Sequence, residues 1–193
     1  MSDLKMVCPR CWGSKVQYLK KVCKKCELCS ATGSVPDQKL TKNFFLSEFV
    51  ASQTAIRNRI ANEPTPEHVE NLKALCEEIL EPLRAFAGPI HVNSGLRVPE
   101  LNAALSGSSG TSAHQSANAS DLNPLKKSIK ECMDWLVKSK LKYDQAIYEG
   151  TWLHVGRLSP AGKVRQQALM MFPSPKTGKP AYSLYDPKDQ RVV

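Results

Sequence analysis

Five of the seven cysteines fall within 22 residues, Cys8, Cys11, Cys23, Cys26 and Cys29, in the string CPRCWGSKVQYLKKVCKKCELCSATGS. The N-terminus, MSDLKMVCPRC, shows no apolar stretch after its first charges, so no secretory signal is visible and synthesis in a cytoplasm is expected. In that setting clustered thiols favour metal over disulfides. Each C-x-x-C pair folds into a tight knuckle whose thiolates point the same way, and two facing knuckles complete the tetrahedral four-thiolate site that zinc prefers. Cys8 and Cys11 make the first knuckle. The spacing leaves both Cys23/Cys26 and Cys26/Cys29 open for the second. So short a segment cannot build its own core, so the metal is expected to supply most of its folding free energy. A closed four-thiolate site has no open position for chemistry, which points to a docking or structural role.

The strings CPRCWGS and CELCSATG resemble the cysteine knuckles of DnaJ-type chaperones, where small residues after the second Cys let backbone N–H groups approach sulfur. This resemblance implies Cys8, Cys11, Cys26 and Cys29 as ligands of a structural zinc and leaves Cys23 spare. Residues 1–33 are read as this zinc-ribbon-like module and 34–43 as a polar linker. Residues 1–42 hold nine Lys/Arg against three Asp/Glu, which is +6 of the net charge of +9. Such a segment attracts polyanions, although a solvated lysine face explains it equally well. No run approaches the ~20 apolar residues a membrane span needs.

Past the linker the pattern becomes that of a packed domain. Leu46, Phe49, Val50, Ile56 and Ile60 predict one helix or two short ones. Thr65 is a good N-cap, Pro66 opens a helix, and an apolar stripe runs from Val69 to Phe86. His68 and Cys76 on it read as a surface histidine and a core thiol. The string PIHVNSG predicts a strand, Pro99 to Leu105 a short helix, and Asn123-Pro124 the cap of another helix through Val137. Strands are expected at 145–149 and 152–157. Together these give an α+β fold, helices on a small mainly antiparallel sheet that carries a zinc site. Residues 159–193, rich in Pro, Lys and Gly, read as a C-terminal extension, a tail or binding arm.

Two of the four histidines stand where a ligand is expected. His114 lies seven residues before Asp121, and His154 sits in TWLHVGR. Two imidazoles and a carboxylate suit a zinc that keeps its fourth position for water. The strings NSGLRVPELNAAL, SAHQSANASD and YDQAIYEGTWLHVGR, in that order and preceded by LSEFVAS and TPEHVENLKALCEEILEPLRAFAGPI, closely resemble the zinc D-Ala-D-Ala carboxypeptidase family, in its phage and prophage branch. The resemblance spans residues 44–158. It implies His114, Asp121 and His154 as ligands of a catalytic zinc, Arg97 as partner of a substrate carboxylate or carbonyl, and Ser112 as a hydrogen-bond donor near the same group. Trp152, Tyr143 and Tyr148 are placed either along the groove or in the core, and Trp135 in helix packing.

Two positions depart from the family pattern. Ala117 replaces a glycine, and Thr151 stands where an acidic base is usual, three residues before His154. Glu149, five before it, is the candidate base. The resemblance then implies hydrolysis of D-alanine-containing peptide bonds in bacterial peptidoglycan, with Arg97 stabilising the oxyanion, by a phage lysin or a virion-associated wall-degrading protein. The alternative is a non-catalytic structural virion protein that keeps the fold, its cysteine module or C-terminal arm docking on other virion proteins. A basic zinc-ribbon binder of nucleic acid ranks last, and nucleic acid is not among the expected partners.

Overall fold

In a computed structural model that describes residues 4–19, 22–105 and 108–192, the cysteine segment folds as two small ribbons. Four short strands, β1 (Lys5–Val7), β2 (Val16–Leu19), β3 (Val22–Lys25) and β4 (Ser34–Pro36), pair antiparallel, β1 with β4 and β2 with β3. Met6 from β1 is buried in the same apolar cluster as the rest of the chain, so the module shares its core with the main domain.

The residues from 46 to 58 form two short helices, α1 (Leu46–Val50) and α2 (Gln53–Asn58). The long apolar stripe is helical throughout, but as α3 (Pro66–Leu75) and α4 (Glu81–Ala87) joined by a π-turn over Cys76–Leu80. Pro82 explains the widening. A proline ring crowds the preceding turn and donates no hydrogen bond, and here the N–H of Glu81 reaches back to the carbonyl of Cys76. Thr65 and His68 form a reciprocal cap at the start of α3, and Cys76 is wholly buried.

The sheet is built from β5 (Ile90–Ser94), β6 (Ala119–Pro124), β7 (Gln145–Tyr148), β8 (Leu153–Gly156), β9 (Gln167–Pro173) and β10 (Pro180–Leu184). Its order is β10-β9-β7-β8-β6-β5, antiparallel except where β9 runs parallel to β7. Helix α5 (Pro99–Ala104) and a 3-10 turn at Ala113–Ser116 lie between β5 and β6, and α6 (Ile129–Lys138) follows β6. The fold is thus α+β, as the sequence predicts.

Two expectations are corrected. Asn123-Pro124 closes β6 instead of capping a helix; α6 begins after Ser128, whose hydroxyl accepts the N–H of Glu131 while the Glu131 carboxylate accepts the N–H of Ser128. The segment after 158 is not a free arm, since β9 and β10 extend the sheet.

Strand alternation divides the sheet into two faces. Leu122, Ala146, Tyr148, Leu153, Val155 and Met170 point one way and are buried in one cluster with Leu72, Leu75, Ile79 and Leu83 of the long helix and Cys132, Met133 and Leu136 of α6. Trp135 stacks on Phe86 with centroids 5.1 Å apart, and Tyr143 and Tyr148 are core residues. The other face is left for the polar residues. Among the described residues no helix is long and apolar enough to cross a membrane.

Candidate metal centre and cleft

Register brings the site together. Ser94, Asp121, His154 and Ile147 lie opposite one another on β5, β6, β8 and β7, so residues far apart in sequence form one rung of the sheet. A register shift between Val92 and Ser94 bends the end of β5 just before the Ser94-Gly95-Leu96-Arg97 turn. His114 comes from outside the sheet, on the 3-10 turn, which is capped where the Ser112 hydroxyl accepts the N–H of His114.

The three side chains converge. His154 Nδ1 lies 2.9 Å from Asp121 Oδ1, and His114 Nε2 lies 3.3 Å from both Asp121 Oδ1 and His154 Nδ1. Zinc bonds of ~2.0–2.2 Å in a tetrahedron put neighbouring ligand atoms ~3.3–3.6 Å apart, so both separations from His114 match and the 2.9 Å between His154 and Asp121 would open slightly around the metal. The other nitrogen of His114 is occupied: Nδ1 donates to the Gly95 carbonyl at 2.7 Å, which fixes the tautomer and leaves Nε2 as the free lone pair. Arg97 makes a guanidinium contact with Asp121 Oδ2, its Nε donates to Ser94 Oγ at 2.8 Å, and its backbone N–H donates to the His114 carbonyl. Arg97 is therefore on the carboxylate ligand, at the edge of the cleft where a substrate group would lie.

Charge follows geometry. Burial opposes ionisation of Asp121, but the two imidazoles beside it outweigh that and hold its carboxyl well below the usual range. Burial pushes His114 below the ordinary histidine value against the pull of Asp121, so the ring is neutral and suited to binding metal.

These groups open on a cleft of about 780 Å³, floored by the polar face of the sheet. Ser112 and Thr111 form one wall, while Leu169, Met171, Pro180 and Tyr182 of the C-terminal hairpin form the other. Glu149 and Trp152 also line it. Glu149 follows β7 and faces Trp152, its N–H donating to the Trp152 carbonyl at 3.1 Å. Because Ile147 pairs with His154, Glu149 is the diagonal neighbour of His154 on the same face, a separation of ~7–8 Å between Cα atoms. Thr151 is exposed on the turn. Burial raises the Glu149 carboxyl above its ordinary value, opposed by His154 and by a hydrogen bond from the Trp152 side chain.

Ala117, at the departure from the usual glycine, adopts φ +56° and ψ +26°, the left-handed region, and is fully buried. Sequence reasoning missed two buttresses, Asn71, which donates to the Ser116 carbonyl behind His114, and Asn62, on the far side of the Arg97 turn. Both are polar residues without a motif, and only the fold shows what they hold.

A second cluster lies in the N-terminal module. Cys8, Cys11, Cys26 and Cys29 are buried together, with Cys8 Sγ 3.8 Å from Cys26 Sγ and Cys11 Sγ 3.6 Å from Cys29 Sγ. Zinc–sulfur bonds of ~2.3 Å require sulfurs ~3.8 Å apart, so this set also fits zinc. The N–H of Gly33 approaches Cys29 Sγ at 3.3 Å, and a side chain on Gly33 would meet the Gly13 carbonyl at 2.9 Å, so the two knuckles pack glycine against glycine. The side chain of Cys23 lies outside the described residues.

No curated protein and no solved structure was found to match the chain. A family model described as Peptidase M15 matches residues 42–156, which takes in α1 to β8 and all of His114, Asp121 and His154. The match covers more than half of the chain, and the chain belongs to the peptidase M15 family of zinc-dependent peptidases; His114, Asp121 and His154 form a group that could hold such a metal.

Proposed function

We propose that this protein hydrolyses D-alanine-containing peptide bonds of bacterial peptidoglycan, acting at the cell wall as a phage lysin or as a wall-opening component of a virion. The observation that carries the reading is the His-Asp-His set lying in a cleft with one further carboxylate, Glu149, on the same sheet face. Zinc held by His114, Asp121 and His154 would supply Lewis acidity and make water acidic enough to attack near neutral pH. Glu149, diagonal to His154, takes the proton of the attacking water and passes it to the leaving amine. Its raised pKa suits a group that must hold a proton between two steps. The Arg97 guanidinium, anchored through Nε on Ser94, presents donors at the cleft edge for the oxyanion or a substrate carboxylate. Ser112 lines the same wall and orients that group. The four-cysteine site would hold a second, structural zinc that takes no part in the chemical step.

The test is release of D-alanine or muropeptides from purified peptidoglycan by zinc-loaded protein, comparing wild type with Glu149→Gln and His114→Ala. Glu149→Gln is expected to keep its zinc and lose about 10²–10⁴-fold in rate, and His114→Ala to lose the zinc and the activity. Absence of release from several wall chemotypes, by protein shown to hold both metals, would overturn the enzymatic reading in favour of a non-catalytic virion component.

A further inference from the structure

The four-cysteine module and the catalytic turn are joined by a short chain of hydrogen bonds, part-buried at the module and buried at Asn62. Three residues of the first knuckle reach residues 60–63, a stretch with no regular secondary structure of its own. The Pro9 carbonyl accepts the N–H of Asn62 at 3.1 Å. Trp12 Nε1 donates to the Ile60 carbonyl at 2.8 Å. Arg10 grips Glu63 with both ends of its guanidinium, Nε at 2.6 Å and Nη2 at 2.8 Å.

Asn62 carries this grip inward. It is fully buried, and its amide is used completely by backbone. Nδ2 donates to the Val50 and Leu96 carbonyls, each at 2.9 Å, and Oδ1 accepts the N–H of Val98 at 3.1 Å. Leu96 and Val98 flank Arg97, whose guanidinium holds Asp121, and Gly95, one residue earlier, offers the carbonyl that holds His114. A single side chain therefore spans the turn on which two of the three zinc ligands depend.

We infer that the cysteine module positions the catalytic zinc site through Asn62, so that loosening the knuckle's grip on residues 60–63 weakens metal binding at His114, Asp121 and His154. This rests on the peptidase reading only for its consequence in turnover. The coupling itself is a property of metal affinity. Asn62, Trp12 and Arg10 are positioning residues, acting through the Ser94–Val98 turn. Groups that orient metal ligands typically change affinity by about 10–100-fold when removed.

Full-length protein is titrated with cobalt(II), whose thiolate charge-transfer absorption reports the cysteine site separately from the histidine site, and amide exchange is followed at residues 94–98 and in α6. The variants are Asn62→Asp, which keeps the shape and the acceptor but loses both N–H donors, and the double variant Arg10→Gln with Trp12→Phe, which changes two partly exposed side chains. The expected result is a filled cysteine site, a histidine-site affinity lowered about tenfold or more, faster exchange at 94–98 and unchanged exchange in α6. Histidine-site affinity within about twofold of wild type in the double variant with its cysteine site filled, against the at least tenfold loss expected, overturns the proposal. Should Asn62→Asp fail to fold, the double variant decides alone. Coupling found in a protein that hydrolyses no peptidoglycan would refute the peptidase reading and leave this one standing.

Discussion

Gly95 has no room for a side chain. A Cβ there would lie 2.7 Å from Phe49 Cβ and 2.8 Å from Phe49 Cα, so backbone must move to admit even alanine. The same close approach lets the N–H of Leu96 donate to the Phe49 carbonyl at 2.8 Å and sets the Gly95 carbonyl on His114. Gly95→Ala is expected to cost about 1–3 kcal/mol of stability, the usual penalty for overpacking. It should also lower zinc affinity at the histidine site by about tenfold or more through the lost orienting bond. Denaturant unfolding and chelator competition measure the two, and an alanine variant matching wild type in both would show that the turn yields freely. Ala117 presents the opposite balance. Its left-handed φ of +56° costs about 1 kcal/mol relative to glycine, but its methyl is fully buried and contributes about 0.8 kcal/mol. Ala117→Gly is therefore expected to leave stability within about 0.5 kcal/mol, since the two terms offset. A gain well above that in urea unfolding would mean that the methyl contributes nothing to the core.

Among the elements, the C-terminal hairpin adds a wall to the cleft from outside the matched family region. Residues 42–156 end with β8, whereas Leu169, Met171, Pro180 and Tyr182 come from β9 and β10. Tyr182 is 57% exposed, so its ring is available to a ligand and its removal costs the fold little. With Tyr182→Ala we expect a rise in KM for peptidoglycan fragments with kcat and zinc affinity nearly unchanged, the pattern of lost uniform binding. Equal KM for the variant and wild type would remove the hairpin from substrate recognition. This wall was not legible in the sequence, because PSPKTGKPAYSLYDPKDQRVV has the composition of a tail, and β9, with which its β10 pairs, is itself held by β7, more than twenty residues upstream. Strand β6 was hidden for a related reason: Ala119, Ser120 and Asp121 have weak strand propensity, and only pairing on both sides makes them a central strand. By contrast, the long helix, β5, β7 and β8 were legible from periodicity and turn residues. His114, Asp121 and His154 were legible because the strings around them carry a family pattern that spacing alone does not supply. Glu149 is a candidate from the sequence, but its place diagonal to His154 depends on the hairpin register.

At the scale of the whole molecule, two candidate metal sites of different character respond differently to protons. In the cysteine site burial pushes the Cys8 thiol up to about 12 and raises Cys11 as well. Cys29, despite the opposing effect of burial, is drawn down to about 6 by the Gly33 N–H and its neighbouring thiols. Near neutral pH Cys8 and Cys11 therefore hold protons in the metal-free protein, and metal must displace them, whereas Cys29 is already largely thiolate. Each displaced proton makes apparent affinity fall tenfold per unit of falling pH, so Cys8 and Cys11 alone give about a hundredfold. The histidine site differs in sign and size. His114 is lowered and Asp121 is lowered, so both are already in their metal-binding forms at neutral pH. Apparent zinc affinity is thus expected to fall steeply at the cysteine site between about pH 8 and pH 7, and to change little at the histidine site over the same range. Cobalt(II) titrations at several pH values, read at the thiolate charge-transfer band and at the weaker histidine-site band, measure both slopes. Equal slopes would mean that Cys8 and Cys11 do not hold their protons as packed here. If the slopes differ as expected, mild acidification weakens metal binding at Cys8 and Cys11 before it touches His114 and Asp121, whose binding forms are already in place.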